Sequence, residues 1–205
     1  MFARLPQWIY WVAFFIGVAA IGAAAWFGVR QHSVVIPAEF VSRRNGIIQL
    51  LVELNATPSV DVAPLADAEN KKEYAAASAL LEKAIEANAA HQAIIQKLAR
   101  TSDGLSALAT QIKPDTLSEK AIVAFGILHR LVIAEQSYYE SQRSLFTISK
   151  QYYDDAITSG VLPAVPAEVQ KIADAASKSL AEMQDLNKQF KDAIDAFDKE
   201  AAGNK

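Results

Sequence analysis

The side chains best suited to chemistry in this sequence are three histidines and two pairs of adjacent tyrosines. His91 lies one helical turn after Asn88 in a run of apolar residues with helical spacing. One interpretation is a buried polar pair that senses a ligand, a partner or pH. The interpretation we favour is a core histidine that is hydrogen-bonded to a neighbouring helix, because buried polar groups are normally satisfied. His129 lies in an apolar run, where it could face a cavity, although a structural role is again favoured.

The tyrosine pairs Tyr138-Tyr139 and Tyr152-Tyr153 are fourteen residues apart, which is two heptads. This spacing predicts that both pairs lie near one face of a helix. Tyrosine has an apolar ring and a polar hydroxyl, so such a strip could bind a peptide, a glycan or a lipid. Packing within a bundle is the favoured alternative. The candidate ligand or partner surface therefore consists of His91, His129, Tyr138, Tyr139, Tyr152 and Tyr153.

Motifs that would indicate an enzyme or a metal site are missing from the sequence. There is no cysteine, and thiolate-bound zinc, iron–sulfur clusters and Cys-linked haem all need cysteine. No Glu-x-x-His pair, no Gly-rich phosphate loop and no G-x-S-x-G motif occurs. We therefore predict no catalytic residues, no cofactor and no metal. From Asn45 onward there are 16 Lys and Arg against 22 Asp and Glu, a net charge of −6, which argues against nucleic-acid binding.

The first thirty residues predict a transmembrane anchor. Trp8–Val29 carries no charge over 22 residues, and a spanning helix needs roughly 20. Aromatic residues at both ends match the two interfacial belts of a membrane span: Trp8, Tyr10, Trp11, Trp26 and Phe27. The alternative is a signal peptide cleaved near Ala23–Ala25, but the apolar run continues beyond these alanines.

The charges that flank the span hardly distinguish the side of the membrane on which the remaining chain lies. Arg4 precedes the span and Arg30 follows it, so the positive-inside rule hardly discriminates. We favour a single-pass protein whose body is extracytoplasmic, either periplasmic or at the cell surface, because a lone N-terminal apolar helix often directs export. Within the span, small residues recur every three or four positions, which would let another helix approach closely: Ala13, Gly17, Ala20, Ala24 and Gly28.

The predicted fold class is all-α: the transmembrane helix is followed by an elongated antiparallel bundle of three long helices plus short ones. The domain layout is a short tail over 1–7, the anchor over 8–30, a connector over 31–37, the bundle over 38–201 and a frayed tail over 202–205. Within the bundle, helices are predicted over 38–55, 64–101, 105–112, 116–159 and 166–201.

Local signals set these boundaries. Gly104 and Gly160 are predicted to end helices, Pro64 and Pro166 to begin them, and the stretch Thr116–Glu119 to form a capping box. Two heptad-like seams should face the core. They are Tyr74, Ala77, Leu81, Ala84, Asn88, His91, Ile95 and Leu98, and then Val169, Ile172, Ala176, Leu180, Met183, Leu186, Phe190, Ile194 and Phe197. Residues 121–134 are apolar nearly all round, which predicts the most enclosed segment of the bundle.

An N-terminal span followed by a helical bundle is a layout similar to that of LemA-type proteins. It resembles, more loosely, the four-helix sensor domains of bacterial chemoreceptors. No motif assigns the chain to either group.

Two functional hypotheses follow from this layout. The first is a membrane-anchored, non-enzymatic interaction, scaffold or assembly protein, whose partners are the lipid bilayer and either another protein or a second copy bound through the helical seams. The alternative is an extracytoplasmic, sensor-like module that holds a small ligand between helices near His129 and the first tyrosine pair.

Overall fold

The computed structural model describes residues 34–203, and these residues form six helices. The helices are α1 (Ala38–Ala56), α2 (Pro64–Asn70), α3 (Tyr74–Ser102), α4 (Leu105–Ala109), α5 (Asp115–Ser159) and α6 (Ala167–Gly203). The all-α prediction and the three long helices with short companions are confirmed over this range. The predicted anchor over 8–30, the aromatic residues at its ends and its stripe of small residues lie outside the described residues.

Helix α5 is the central element of the bundle. It packs against α3 on one side and α6 on the other, while α1 packs on α3 and α4. At 1.5 Å per residue its 45 residues extend for about 65 Å. Short connections make α3, α5 and α6 successive antiparallel neighbours. Within residues 34–203, no helix is both long and apolar enough to span a bilayer.

The two ends of the described chain lie at the same end of the bundle. Val35 and Lys113 exchange backbone hydrogen bonds of 3.0 Å in an isolated antiparallel bridge beside the start of α5. Phe40 in α1 packs against Phe197 near the end of α6, with ring centroids 5.8 Å apart. The turn from α5 to α6 therefore lies at the opposite end of the bundle.

Two glycines end helices as predicted. Gly160 follows α5 with φ +74° and its N–H donates to Ala156 O at 2.8 Å, while Gly104 after α3 has φ +76°. Both are in the left-handed region, where a side chain would be strained, so glycine favours termination there.

The prediction of one helix from Pro64 to Thr101 is wrong. The helix is interrupted between α2 and α3, where Lys72 adopts a positive φ of 60°. The N–H of Glu73 donates to Ala68 O at 2.7 Å, which closes the turn after α2 before α3 begins at Tyr74. The sequence has neither glycine nor proline at this turn, so the local signal that normally predicts a break is missing.

The predicted capping box at Thr116–Glu119 is also wrong. Helix α5 begins at Asp115, directly after Pro114, and no side chain caps its N-terminus. The Thr116 hydroxyl instead donates to Glu200 Oε1 at 2.8 Å, and Lys120 forms an ion pair with the same carboxylate. A tertiary contact with α6 therefore replaces the local contact that the spacing predicted.

The core consists of two apolar clusters along the bundle axis. The larger cluster joins α1, the end of α3, α4, the first half of α5 and the last half of α6, and it includes Phe40, Leu98 and Leu128. The smaller cluster lies near the α5–α6 turn, where Ala77, Leu81 and Tyr153 are its buried members. Both predicted seams face these clusters, with most members buried or half-buried.

The segment 121–134 lies on the central helix, as predicted, but one of its sides is exposed. Phe125, Leu128 and Leu131 are buried, but Ile122, Val123 and Ile133 are exposed. The described helices cover only part of the circumference of α5, because α3 and α6 pack on it and α1 packs mainly on α3 and α4. An apolar strip is therefore left facing solvent.

Candidate functional site

His91 connects α3 to the end of α1. The residue is only 4 % exposed. Nδ1 lies 2.9 Å from Ala87 O in the same helix, and Nε2 lies 3.2 Å from Thr57 O just past α1. The ring also stacks on Tyr139 of α5, with centroids 4.7 Å apart and planes 18° apart. His91 thus contacts three parts of the fold, as the structural interpretation of this residue requires.

Asn88, one turn before His91, has an unsatisfied polar atom. The residue is 3 % exposed, and its Nδ2 donates to Gln142 Oε1 at 3.4 Å. Its Oδ1 is buried and has no hydrogen-bond partner among the described residues. Leaving a buried acceptor without a donor costs about 1–3 kcal/mol, so this atom marks a place where an additional donor would stabilise the protein.

A small pocket of about 40 Å³ lies at this position, which we call the Asn88 pocket. Its walls come from three parts of the chain: the α1–α2 loop, α3 and α5. The lining residues are Ser59, Val60, Ala84, Ala87, Asn88, His91, Tyr139, Gln142 and Phe146. The volume that one water needs is roughly 10–15 Å³, so the pocket holds about three water-sized groups.

A buried carboxyl group lies one turn before the pocket on α5. Glu135 is 8 % exposed, and burial raises its pKa from 4.5 to about 7. The pKa of Tyr139 is raised by burial and, secondarily, by the charge of Glu135. Gln142 Nε2 donates to Tyr138 Oη at 2.6 Å and Gln142 Oε1 accepts from Asn88, so Asn88, Gln142 and Tyr138 are joined by hydrogen bonds.

Tyr139 and Tyr153, one from each tyrosine pair, face α3, and all four rings make aromatic contacts. Within each pair the rings meet edge to face, with centroids 5.1 and 5.2 Å apart. Tyr153 also stacks with Tyr74 of α3 and donates to Glu69 Oε2 at 3.2 Å. Burial raises the pKa of Tyr153, and the nearby Glu69 carboxylate raises it further. These contacts leave Tyr138 and Tyr139 half-buried beside the Asn88 pocket.

His129 is not part of this group, because it is exposed on the opposite side of α5. Four exposed residues around it form the apolar strip: Ile122, Val123, Gly126 and Ile133. His129 is the polar residue between them. Ile122, Gly126, His129 and Ile133 follow one another at intervals of four, three and four, so they share one helical face. A Cβ built on Gly126 would meet nothing within 4 Å, so the surface above this glycine is open.

Beside the strip, α5 and α6 enclose an open groove of about 510 Å³. Val123, Ala193 and Ala196 form its apolar floor, and charged residues, including the Lys120–Glu200 ion pair, lie along its edge. Val123 is 59 % exposed and belongs to both the strip and the groove. Small alanine side chains on α6 let another polypeptide approach the backbone closely.

A second groove, of about 470 Å³, lies between α3 and α5 and has polar walls. Its side chains already bond to each other: Gln136 Nε2 donates to Glu140 Oε1 at 2.8 Å, and Arg143 Nη1 donates to Gln92 Oε1 at 3.5 Å. This groove is therefore less suited to a ligand than the Asn88 pocket.

The arginines near the start of α1 are engaged within the bundle. Arg43 pairs with Glu39 at 2.9 Å, and its Nη1 donates to Asp103 O at 2.5 Å. Arg44 pairs with Asp198 and lies over the ring of Phe197, with its guanidinium 5.9 Å from the centroid. Within residues 34–203, no group of three or more His, Asp and Glu side chains is arranged to hold a metal ion.

Sequence reasoning identified part of this site. The sequence predicts that Asn88 and His91 lie on one seam and that Tyr139 belongs to a tyrosine pair on one helical face. Glu135, Gln142 and Ser59 were missed. Glu135 falls four residues before Tyr139, a spacing that puts both on one helical face and could have drawn attention to it. The position of Ser59 depends on the path of a loop, which no periodicity reports.

Comparison with known proteins gives no relative. No family model matches the chain, and neither the curated proteins nor the solved structures contain a match.

Proposed function

We propose that this protein is a membrane-anchored helical bundle that acts without catalysis, as an interaction or scaffold protein at the membrane surface. The observation that supports this most directly is the exposed apolar strip on α5, together with the apolar floor of the adjoining groove. A spanning segment over residues 8–30 would hold the end of the bundle that contains Val34 close to the bilayer. The apolar strip would then lie near the membrane-facing end of the bundle.

The occupant that we propose for the strip and groove is an amphipathic helix of a partner protein. A helix with apolar residues every three or four positions would cover Val123 and Ile133 together, and its backbone could approach over Gly126 and the two alanines of α6. Complete burial of one valine or isoleucine contributes about 1.5–3 kcal/mol. Introducing a charge at Ile133 should therefore weaken docking at least about tenfold, since about 1.4 kcal/mol corresponds to a factor of ten.

Site-specific photo-cross-linking in native membranes tests this proposal. A photoreactive residue at Val123 should give one adduct of defined mass, and mass spectrometry should locate the linked residues on an amphipathic helix of one protein. The adduct should disappear in Ile133→Glu. The matched control is a photoreactive residue at Val161, which is 69 % exposed in the α5–α6 turn, about 55 Å along the bundle.

The outcomes distinguish the possible occupants. Equal adducts at both positions would show non-specific contact and contradict the docking surface. Adducts with lipid alone would assign the strip to the bilayer. An adduct between two copies of this chain would assign it to self-association.

A second candidate function is an extracytoplasmic, sensor-like module that binds a small ligand. The Asn88 pocket favours this candidate, because it combines a cavity with a buried acceptor that lacks a donor. It lies beside the first tyrosine pair, as that hypothesis expects, but not beside His129. Saturable thermal stabilisation of the full-length protein by a small ligand would be its first test.

A further inference from the structure

The Asn88 pocket contains a buried acceptor that lacks a donor. Asn88 Oδ1 has no partner, whereas Asn88 Nδ2 is bonded to Gln142 Oε1. Gln142 Nε2 is engaged by Tyr138, and both ring nitrogens of His91 lie against carbonyl oxygens. The hydroxyl of Ser59 at the pocket edge can act in either role. Each amide NH2 group keeps a second N–H that these bonds do not use, so the requirement on a ligand comes from Asn88 Oδ1 alone. A ligand must supply at least one N–H or O–H group to this atom, which an ionised carboxylate, with acceptors only, does not do.

The other walls favour a cation among such donors. The rings of Tyr139 and Phe146 line the pocket together with the small side chains Ala84 and Ala87. Aromatic rings attract ammonium groups through their negative faces. The net charge of −6 from Asn45 onward, counted as 16 basic against 22 acidic residues, also favours the approach of a cation.

The size of the pocket limits the ligand to a small group. Room for about three water-sized groups accommodates ammonium, or the end of a primary alkylammonium, but not a bulky organic molecule. An alcohol or a neutral amide could also donate to Asn88 Oδ1, but it carries no positive charge for the aromatic faces of Tyr139 and Phe146 to attract. An ammonium group carries donors only and leaves no acceptor unsatisfied.

We propose that the Asn88 pocket binds a primary ammonium group, either as a small alkylammonium ion or as the amine end of a larger molecule that enters past Ser59. Asn88 Oδ1 accepts one N–H, the second lone pair of Gln142 Oε1 accepts another, and Tyr139 and Phe146 surround the alkyl carbon. This inference rests on the second candidate function and names the ligand class for it. A ligand of so few atoms binds with millimolar affinity, because binding energy per atom is limited.

The test measures the melting temperature of the full-length protein in non-ionic detergent during titration with methylammonium chloride. Sodium chloride at equal ionic strength is the blank. Tetramethylammonium chloride is the matched cation, since it carries the same charge but no N–H. We expect a saturable rise in Tm with methylammonium and none with tetramethylammonium beyond the blank.

Two variants assign the effect to the pocket. Asn88→Leu removes the acceptor and should raise the Kd at least tenfold. Asn88 is buried and its loss could disturb folding, so Ser59→Trp provides a second variant. Ser59 is exposed, and the indole should block the entrance of the pocket. This variant should lose binding and keep the helical content of the unmodified protein. Ser106→Trp, at an exposed serine in α4, should bind like the unmodified protein.

Three results would overturn the inference: no saturable response to methylammonium, an equal response to tetramethylammonium, or unchanged binding in both Asn88→Leu and Ser59→Trp. Stabilisation by formamide but not by methylammonium would also reject the ammonium class. That last result would leave the ligand-binding function standing, so the failures of the two proposals are distinguishable.

Discussion

At the scale of single residues, the polar groups between α3 and α5 carry most of the functional interest. Asn88 and Glu135 are both nearly buried, yet they are polar and lie in helices that otherwise present apolar seams to the core. Buried polar groups reduce stability unless they are fully bonded. Their presence therefore has a cost that apolar residues at the same positions would avoid.

Glu135 should make the stability of the bundle depend on pH. Burial raises its pKa from 4.5 in the unfolded chain to about 7 in the fold, so the folded state holds a proton that the unfolded state loses between these values. Stability should fall as pH rises from about 4.5 to 7 and then level off. Glu135→Gln should remove this fall and be more stable than the unmodified protein at pH 8, by up to about 3 kcal/mol.

Urea unfolding of both proteins at pH 5 and pH 8 measures this effect. Glu140→Gln, at an exposed carboxylate on the same helix, is the matched control and should alter stability by less than about 0.5 kcal/mol at either pH. If Glu135→Gln had the same effect at both pH values, the carboxyl group would not be titrating in this range.

The sequence could predict only part of the candidate site, for a physical reason. Periodicity reports which residues share a face of one helix, so Asn88 and His91 were placed together. It does not report which face of α5 lies opposite them. The contacts between Asn88 and Gln142 and between His91 and Tyr139 depend on the register of α3 against α5, which is set by tertiary packing.

At the scale of elements, the sequence predicts a helix end well where the terminating residue is a glycine that can adopt a positive φ. Gly104 and Gly160 end α3 and α5 in the left-handed conformation, as glycine readily does. The break at Lys72 and the replacement of the capping box were missed. At the capping box a long-range contact with α6 replaces the local one, whereas the turn at Lys72 has neither the glycine nor the proline that normally predicts a break.

Lys72 allows a direct test of whether the backbone is strained at the turn between α2 and α3. Its φ of +60° is unfavourable for a residue with a Cβ, whereas glycine adopts it readily. Lys72→Gly should therefore stabilise the protein by up to about 1 kcal/mol, despite the greater flexibility of glycine in the unfolded chain. Lys71→Gly is the matched control, because Lys71 is also exposed but has an ordinary φ of −87°.

Chemical denaturation of the two variants distinguishes the effects. The control should lose about 0.5–1 kcal/mol, since glycine gains only unfolded-state freedom there. A loss of stability in both variants would show that the turn does not strain Lys72.

At the scale of the whole molecule, the division of the core into two clusters suggests two levels of stability. The larger cluster joins five helices, whereas the smaller one has three buried members, and α2 beside it has no buried residue. Regions with few buried apolar contacts open at lower free energy than the rest of a protein. The end of the bundle near the α5–α6 turn should therefore open locally while the other end remains folded.

Hydrogen exchange measured by mass spectrometry, with two matched substitutions, can establish this division. Leu81 in the smaller cluster and Leu128 in the larger one are both fully buried, at 0 % exposure. Leu81→Ala should remove about 2–5 kcal/mol of local stability and accelerate exchange in α2, the start of α3 and the end of α5, with little change around Leu128. Leu128→Ala should accelerate exchange throughout, because opening the larger cluster releases every helix that packs on it.

If Leu81→Ala instead accelerated exchange equally at both ends, the bundle would unfold as one cooperative unit. The apolar strip and the Asn88 pocket would then lie on the same folding unit, so that a partner on one and a ligand in the other would both stabilise the whole bundle.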